Sequence, residues 1–281
     1  MTVLLIGGSS QIGHFLLPRL LALGEPVLAL SRAPHAARSG VSWLPGQLPD
    51  AMPAPLPPLR AIISYGPLAA LVQWLEQAPL SGTPTIVATS SMSAESKVAS
   101  VVPAERAIAQ QLQQGERALA AVCARRGLRW SVLRPTLVYG AGLDRSLTPI
   151  ARRAMRTHVF PLPAGRGLRQ PVHADDLAQA SLAALQQPAA DGRILPIGGG
   201  ERLCAAEMFA RVRRSLPVRT LPLPLGTAAL KLAAALRPQA RGMLLRLEQD
   251  LIADNRELEA VLGIHPRPFH PDARCWSRGE S

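Results

Sequence analysis

Gly7 and Gly13, with Ser9, Ser10, Gln11 and Ile12 between them, are the residues whose types and spacing most directly imply chemistry. They belong to the run V-L-L-I-G-G-S-S-Q-I-G, in which strand formers from Val3 lead into a glycine-rich turn. The turn leads into the helical spacing Ile12, Phe15, Leu16, Arg19, Leu20, Leu23. Such a strand-turn-helix unit binds phosphate. Gly7 permits a tight turn, Gly13 lets the helix pack closely, and the N–H groups opening the helix face an incoming pyrophosphate. A second strand, Val27 to Leu30, ends in Ser31 and Arg32, with Arg38 following and no acidic residue until Asp50. An acid at this strand end binds the ribose hydroxyls of NAD, whereas a base accommodates a 2′-phosphate, so the expected cofactor is NADP (NADPH) in preference to NAD.

The elements that must position these residues follow in order. Gly24 closes the first helix, and Pro18 removes one of its hydrogen bonds. Val41 to Leu44 is a short third strand, and the proline-rich stretch from Ala51 to Leu59 is a connection without a full helix. Ile62 to Ser64 is a fourth strand and Leu68 to Gln77 its helix, so Ser64, Tyr65 and Gly66 are expected beside the first turn. Thr85 to Thr89 is a fifth strand ending in Ser90 and Ser91.

The chain has 281 residues, enough for one large α/β core with a smaller appendage, or for two modest domains. Its net charge of +12 is scattered arginine, with Lys97 and Lys231 as the lysines and few aromatics. That distribution fits steering of an anionic small molecule better than nucleic-acid binding. Cys123, Cys204 and Cys275 are too few and too far apart for a zinc motif or a disulfide framework, which fits a reducing cytoplasm. The first apolar run enters a nucleotide turn without a basic segment before it, unlike a signal peptide. Prolines, Gly226 and Lys231 interrupt Leu221 to Leu236, which reads as an amphipathic surface or substrate-side helix, not a membrane span. His265 and His270 lie in a proline-rich coil without the partners a metal needs.

Several segments in order carry a family resemblance: the turn G-x-x-S-x-x-G, Glu116-Arg-Ala-Leu, Ser131-Val-Leu-Arg-Pro-Thr-Leu-Val-Tyr-Gly140, Val172-His-Ala-Asp-Asp-Leu-Ala178, and L-G-I-H-P-R-P-F near the end. Together they resemble the extended, epimerase/dehydratase-like branch of the short-chain dehydrogenase/reductase superfamily over nearly the whole chain. The resemblance implies an α/β fold, a doubly wound, mainly parallel Rossmann-type sheet with a small C-terminal substrate-side region. Residues 1–198 would form the NAD(P)-binding domain, with 141–171 contributing to the substrate cover, and 199–281 the C-terminal region. Ser10 replaces the family's middle glycine, and its hydroxyl can donate to the same phosphate oxygens. Gln47, before Leu48, keeps an acceptor where relatives place an aspartate on the adenine.

The resemblance also exposes an absence. Relatives use a tyrosine activated by a lysine four residues later, but counting back from Glu116 those positions are Ile108 and Leu112. Tyr65 and Tyr139 are the tyrosines, and neither has such a lysine. The chain is therefore similar to atypical members that have lost this pair. Ser91 holds the family's catalytic serine position and could bind a substrate oxygen or be a turn serine. Lys97 could reach the nicotinamide or be solvated, and His173 could be a general acid or a structural lock beside Asp175 and Asp176, which can cap a helix beginning at Leu177. Arg145, Arg152, Arg153, Arg156, Arg166 and Arg169 fall in the covering region, and Arg152 and Arg156, one turn apart, could converge on a phosphate or carboxylate near Tyr139.

The expectation is an NADP-dependent oxidoreductase or epimerase-like enzyme on a small, anionic carbonyl or sugar substrate, with no nucleic acid and no membrane span; a homodimer is allowed. The alternative is a non-catalytic NAD(P)-binding sensor or assembly protein.

Overall fold

A computed structural model describes residues 2–226 and 247–277. The first half contains β1 (Thr2–Ile6), α1 (Gln11–Ala22), β2 (Val27–Ser31), β3 (Val41–Pro45), β4 (Leu59–Ser64), α2 (Leu68–Gln77), β5 (Thr85–Thr89), the short α3 (Ser93–Ser96), α4 (Pro103–Arg126) and β6 (Trp130–Pro135). The second half contains β7 (Val138–Tyr139), α5 (Thr148–Thr157), β8 (Val159–Pro163), β9 (Leu168–Arg169), β10 (Val172–His173), α6 (Ala174–Gln186), β11 (Arg193–Ile197), β12 (Leu203–Cys204), α7 (Ala205–Arg214), β13 (Leu221–Leu225) and α8 (Arg256–Leu262).

Seven strands form one sheet in the order β11-β6-β5-β4-β1-β2-β3, every neighbouring pair parallel. Because side chains alternate across a strand, β1 sends Val3 and Leu5 to one face and Leu4 and Ile6 to the other. The first face packs under α1, α6 and α8, the second under α2 and α4. This is the expected doubly wound sheet. Strand order departs in opposite directions from β1 and β4, so a crevice opens outside their carboxyl ends, where Gly7 and Ser64 lie. No helix replaces the proline-rich connection between β3 and β4.

Beyond β6, short strand pairs build a smaller region: β8 runs parallel to β13, and β9 antiparallel to β12. A third hydrophobic cluster there joins Tyr139, Leu147 and Phe160 to Met208, Phe269 and Trp276. The helix expected from Leu221 is corrected. Leu221–Leu225 is an edge strand whose alternating Pro222 and Pro224 cannot donate to a second neighbour. The rest of that expected helix, from Thr227 onward, lies outside the described residues. No helix among the described residues is long and apolar enough to cross a membrane.

Candidate functional site

The turn between β1 and α1 is built by residues that leave space and expose backbone. Gly7 has φ +89°, and a Cβ there would stand 3.1 Å from the Tyr65 Cβ. At Gly13 a Cβ would lie 2.3 Å from the Gly8 carbonyl oxygen and 2.5 Å from that of Gly7, so any side chain would force the helix off the turn. Ser10 is extended (φ −76°, ψ 167°), a conformation that needs no glycine, and its Oγ accepts the Gly13 N–H at 3.1 Å. The serine thus serves as N-cap to α1. The helix-opening N–H groups of Gln11 and Ile12 have no carbonyl one turn back, and the dipole there favours an anion. Gln11 donates through Nε2 to the Val138 carbonyl at 3.3 Å, while its Oε1 is buried without a hydrogen-bond partner.

Ser64 is fully buried, and its Oγ accepts the Gly66 N–H. Tyr65 donates its N–H to Ile6, which holds its backbone beside the turn, but its phenol points away and donates to Ser181 Oγ at 3.0 Å. Burial pushes that phenol's pKa upward. At the end of β5, the Ser90 Oγ is also buried and unpartnered. Ser91 accepts the Ser93 N–H and so stabilises the start of α3, leaving its own proton free to donate.

At the other end of the crevice, Ser31 is buried, and Arg32 is exposed. Gln47 exchanges backbone hydrogen bonds with Ala51, closing a tight turn that carries its exposed side chain and half-buried Leu48. One contact has no signature in the sequence. The His35 imidazole stacks on the Trp43 indole, ring centroids 3.8 Å apart and planes 19° from parallel. It joins a loop to a neighbouring strand, so no spacing within one element could signal it.

On α4, Ile108 is exposed and Leu112 half-buried, two apolar side chains that cannot transfer a proton. Lys97 lies 3.7 Å from the buried carboxylate of Glu105, which also accepts from Ser100 Oγ at 2.8 Å. Glu116 receives Nε of Arg134 at 2.7 Å, tying α4 to β6.

The other sequence candidates are held in the smaller region or its joint. Arg152 donates to the carbonyls of Trp276 and Gly142 at 3.1 and 2.8 Å, so it binds the C-terminal segment to a turn, while Arg156 is exposed one helical turn away. Arg169 is buried and donates to the Leu168 and Gln249 carbonyls. Tyr139 is 1% exposed and lies edge-on to both His173 and Phe269. The helix cap expected of the aspartates is corrected: α6 begins at Ala174, and His173 Nδ1 accepts the Asp175 N–H. Asp175 instead pairs with Arg19 and Arg267, and Asp176 with Arg267. Asp144, in the turn leading into α5, accepts the N–H groups of Ser146, Leu147 and Thr148. Among the described residues, no three His, Cys, Asp or Glu side chains gather as a metal site.

A dinucleotide suits this geometry because Gly7 and Gly13 leave no room for side chains, the helix start offers N–H donors, and two buried oxygens, Gln11 Oε1 at the start of α1 and Ser90 Oγ at the end of β5, lie unpartnered. Residues 84–198 match the NAD dependent epimerase/dehydratase family. The matched segment runs from β5 through β11 and includes the Arg134–Glu116 tie, Tyr139 and the His173 cap of α6. The resemblance to the extended branch of the superfamily therefore stands. Solved structures with the same fold include MoeE5 in complex with UDP-glucuronic acid and NAD, at TM-score 0.72 and 19% identity, covering 95% of this chain and 94% of that one. The UDP-glucose 4-epimerase of Thermotoga maritima with UDP-glucose is similar at TM-score 0.67 and 15% identity, with 98% and 97% covered. The UDP-glucuronic acid 4-epimerase of Bacillus cereus with NAD is similar at 0.68 and 14%, again with 98% and 97% covered. No curated protein matches the sequence.

Proposed function

We propose that this protein is an NADP-dependent oxidoreductase or epimerase-like enzyme acting on a small, anionic carbonyl or sugar substrate. The observation that carries the reading is the turn at Gly7 and Gly13, where neither glycine leaves room for a side chain, with the buried Gln11 Oε1 at the start of α1 and Ser90 Oγ at the end of β5 unpartnered. The solved neighbours named with UDP-sugars and NAD support a sugar-type substrate. Preference for NADP over NAD rests on this chain's own Arg32, exposed at the end of β2 without an acid beside it. A reducing cytoplasmic setting belongs to the same reading.

The Gly7–Gly13 turn and the start of α1 would hold the diphosphate of a nicotinamide cofactor and Ser31 and Arg32 its ribose end, the cofactor supplying hydride transfer. Ser91 can orient a substrate oxygen through its free proton while its Oγ still accepts the Ser93 N–H. Ile108 and Leu112 transfer no proton, and a positioned acid or base is worth about 10²- to 10⁴-fold, so turnover is expected to be slow. That deficit is the observation favouring the second reading, an NAD(P)-binding sensor or assembly protein without turnover.

Turnover with NADP and NADPH across carbonyl compounds and nucleotide sugars, blanked against Gly7→Val, separates the two. The enzyme reading expects activity above the blank. It also expects Ser91→Ala to lower kcat about two- to tenfold, the equivalent of one hydrogen bond, with NADPH affinity unchanged. Tight NADPH binding with no turnover above the blank would give the sensor reading its place.

A further inference from the structure

We propose that His35, fixed on Trp43, is a second ligand for the 2′-phosphate of NADP beside Arg32; the inference rests on the NADP reading and names a specificity residue within it. The loop leaving β2 is folded around Ser31. Its Oγ accepts the Ala33 N–H at 3.2 Å and lies 2.8 Å from His35 Nε2. That contact engages Nε2 and leaves the other ring nitrogen, Nδ1, to serve a ligand when it carries a proton.

The stack on Trp43 fixes the plane of the ring. Trp43 in turn reaches the phosphate turn, where a Cβ on Gly8 would meet its Cη2 at 3.4 Å. A continuous platform therefore runs from the Gly8 backbone through the indole to the imidazole, ending in the loop that carries Arg32. His35 and Arg32 are both exposed. The loop's charged side chains are Arg32 and Arg38, and the chain has no Asp or Glu between Glu25 and Asp50. A ligand meeting an exposed ring nitrogen in this setting is an anion. A phosphate with several acceptor oxygens can take the imidazole N–H and the guanidinium together. A histidine that merely packs on the indole would serve NADH and NADPH alike, and that difference makes the proposal testable.

The test is fluorescence titration of the full chain with NADPH and NADH. Adenosine 2′,5′-bisphosphate and adenosine 5′-monophosphate serve as competitors that isolate this end of the cofactor. His35→Phe keeps an aromatic ring on Trp43 and loses the donor, and His35→Gln keeps a donor without the ring. His35→Phe is expected to weaken NADPH and the bisphosphate about tenfold while leaving NADH and the monophosphate unchanged, with His35→Gln intermediate. If both variants keep the NADPH-to-NADH ratio of the unmodified protein while Arg32→Ala lowers it, the NADP reading stands and His35 is not a ligand. Equal weakening of both cofactors would also overturn the proposal, leaving His35 as part of the platform alone. Equal affinity for NADPH and NADH in the unmodified protein would remove the NADP reading and this inference with it.

Discussion

Gly7 and Gly13 exclude side chains for different reasons, Gly7 by its positive φ and Gly13 by the backbone carbonyls against it. Gly7 combines φ +89° with a Cβ position 3.1 Å from Tyr65, so a β-branched residue is strained by backbone and neighbour alike. Gly7→Val is expected to abolish NADPH binding in a protein that retains its fold, as judged by circular dichroism beside the titration. Arg32→Ala should remove most of the NADPH preference, because a charge-assisted hydrogen bond is worth about 1.5–3 kcal/mol, or about tenfold or more in affinity. Competitive titration of the two cofactors reads it directly. The glycines and Arg32 were legible because each sits at a fixed offset from a strand end. Ser10 looked like a departure from pattern, yet its extended backbone needs no glycine and its hydroxyl caps α1. The burial of the Tyr65 phenol against α6 was not legible, since its Ser181 partner is far along the chain.

Where α6 meets α1 and the C-terminal segment, charge and burial make a lock with its own pH dependence. Burial first, and the Arg267 cation second, hold the His173 imidazole below its usual value. Burial works to raise the Asp175 carboxyl, but hydrogen bonds from Arg19 and Arg267 outweigh it and leave that pKa lowered. Both groups are depressed on folding, so between the folded and unfolded pKa values the unfolded chain binds more protons, and stability rises with pH and is lost as pH falls. The His173 contribution is present above about pH 6.5 and declines below it toward the folded value; that of Asp175 declines below about pH 3.9. His173→Asn keeps an N-cap acceptor but cannot titrate. Its Tm is expected to be lower, from lost packing against Phe15 and Tyr139, and to vary less between pH 7 and 5 than that of the unmodified protein. An unchanged pH slope in differential scanning calorimetry would contradict this assignment. Elements with long apolar runs or clear periodicity, such as β5 and α2, were readable to the residue. Leu221–Leu225 was not, because a leucine-proline alternation becomes a strand only through pairing with β8, which the local sequence does not contain.

Across the whole molecule, the chain returns from its small region to brace the large one. Asn255 exchanges hydrogen bonds with the backbone of Gly198, and Arg267 spans Asp175 and Asp176. Trp276 is fully buried in the third cluster, donating to Ser215 Oγ at 2.8 Å. Trp276→Ala should cost about 3–5 kcal/mol in denaturant unfolding, the usual range for a buried tryptophan, while NADPH affinity under native conditions stays unchanged. The doubly wound sheet was legible from alternating strands and helices, whereas this bracing depends on partners far apart in sequence that no periodicity connects. The proposed function puts NADP in the crevice between β1 and β4. It is tested most directly by isothermal titration of the unmodified protein with NADPH and with NADH at neutral pH. Saturable binding with NADPH tighter by about tenfold or more is the predicted result. Absence of saturable binding by either cofactor, or NADH binding as tightly as NADPH, would contradict it.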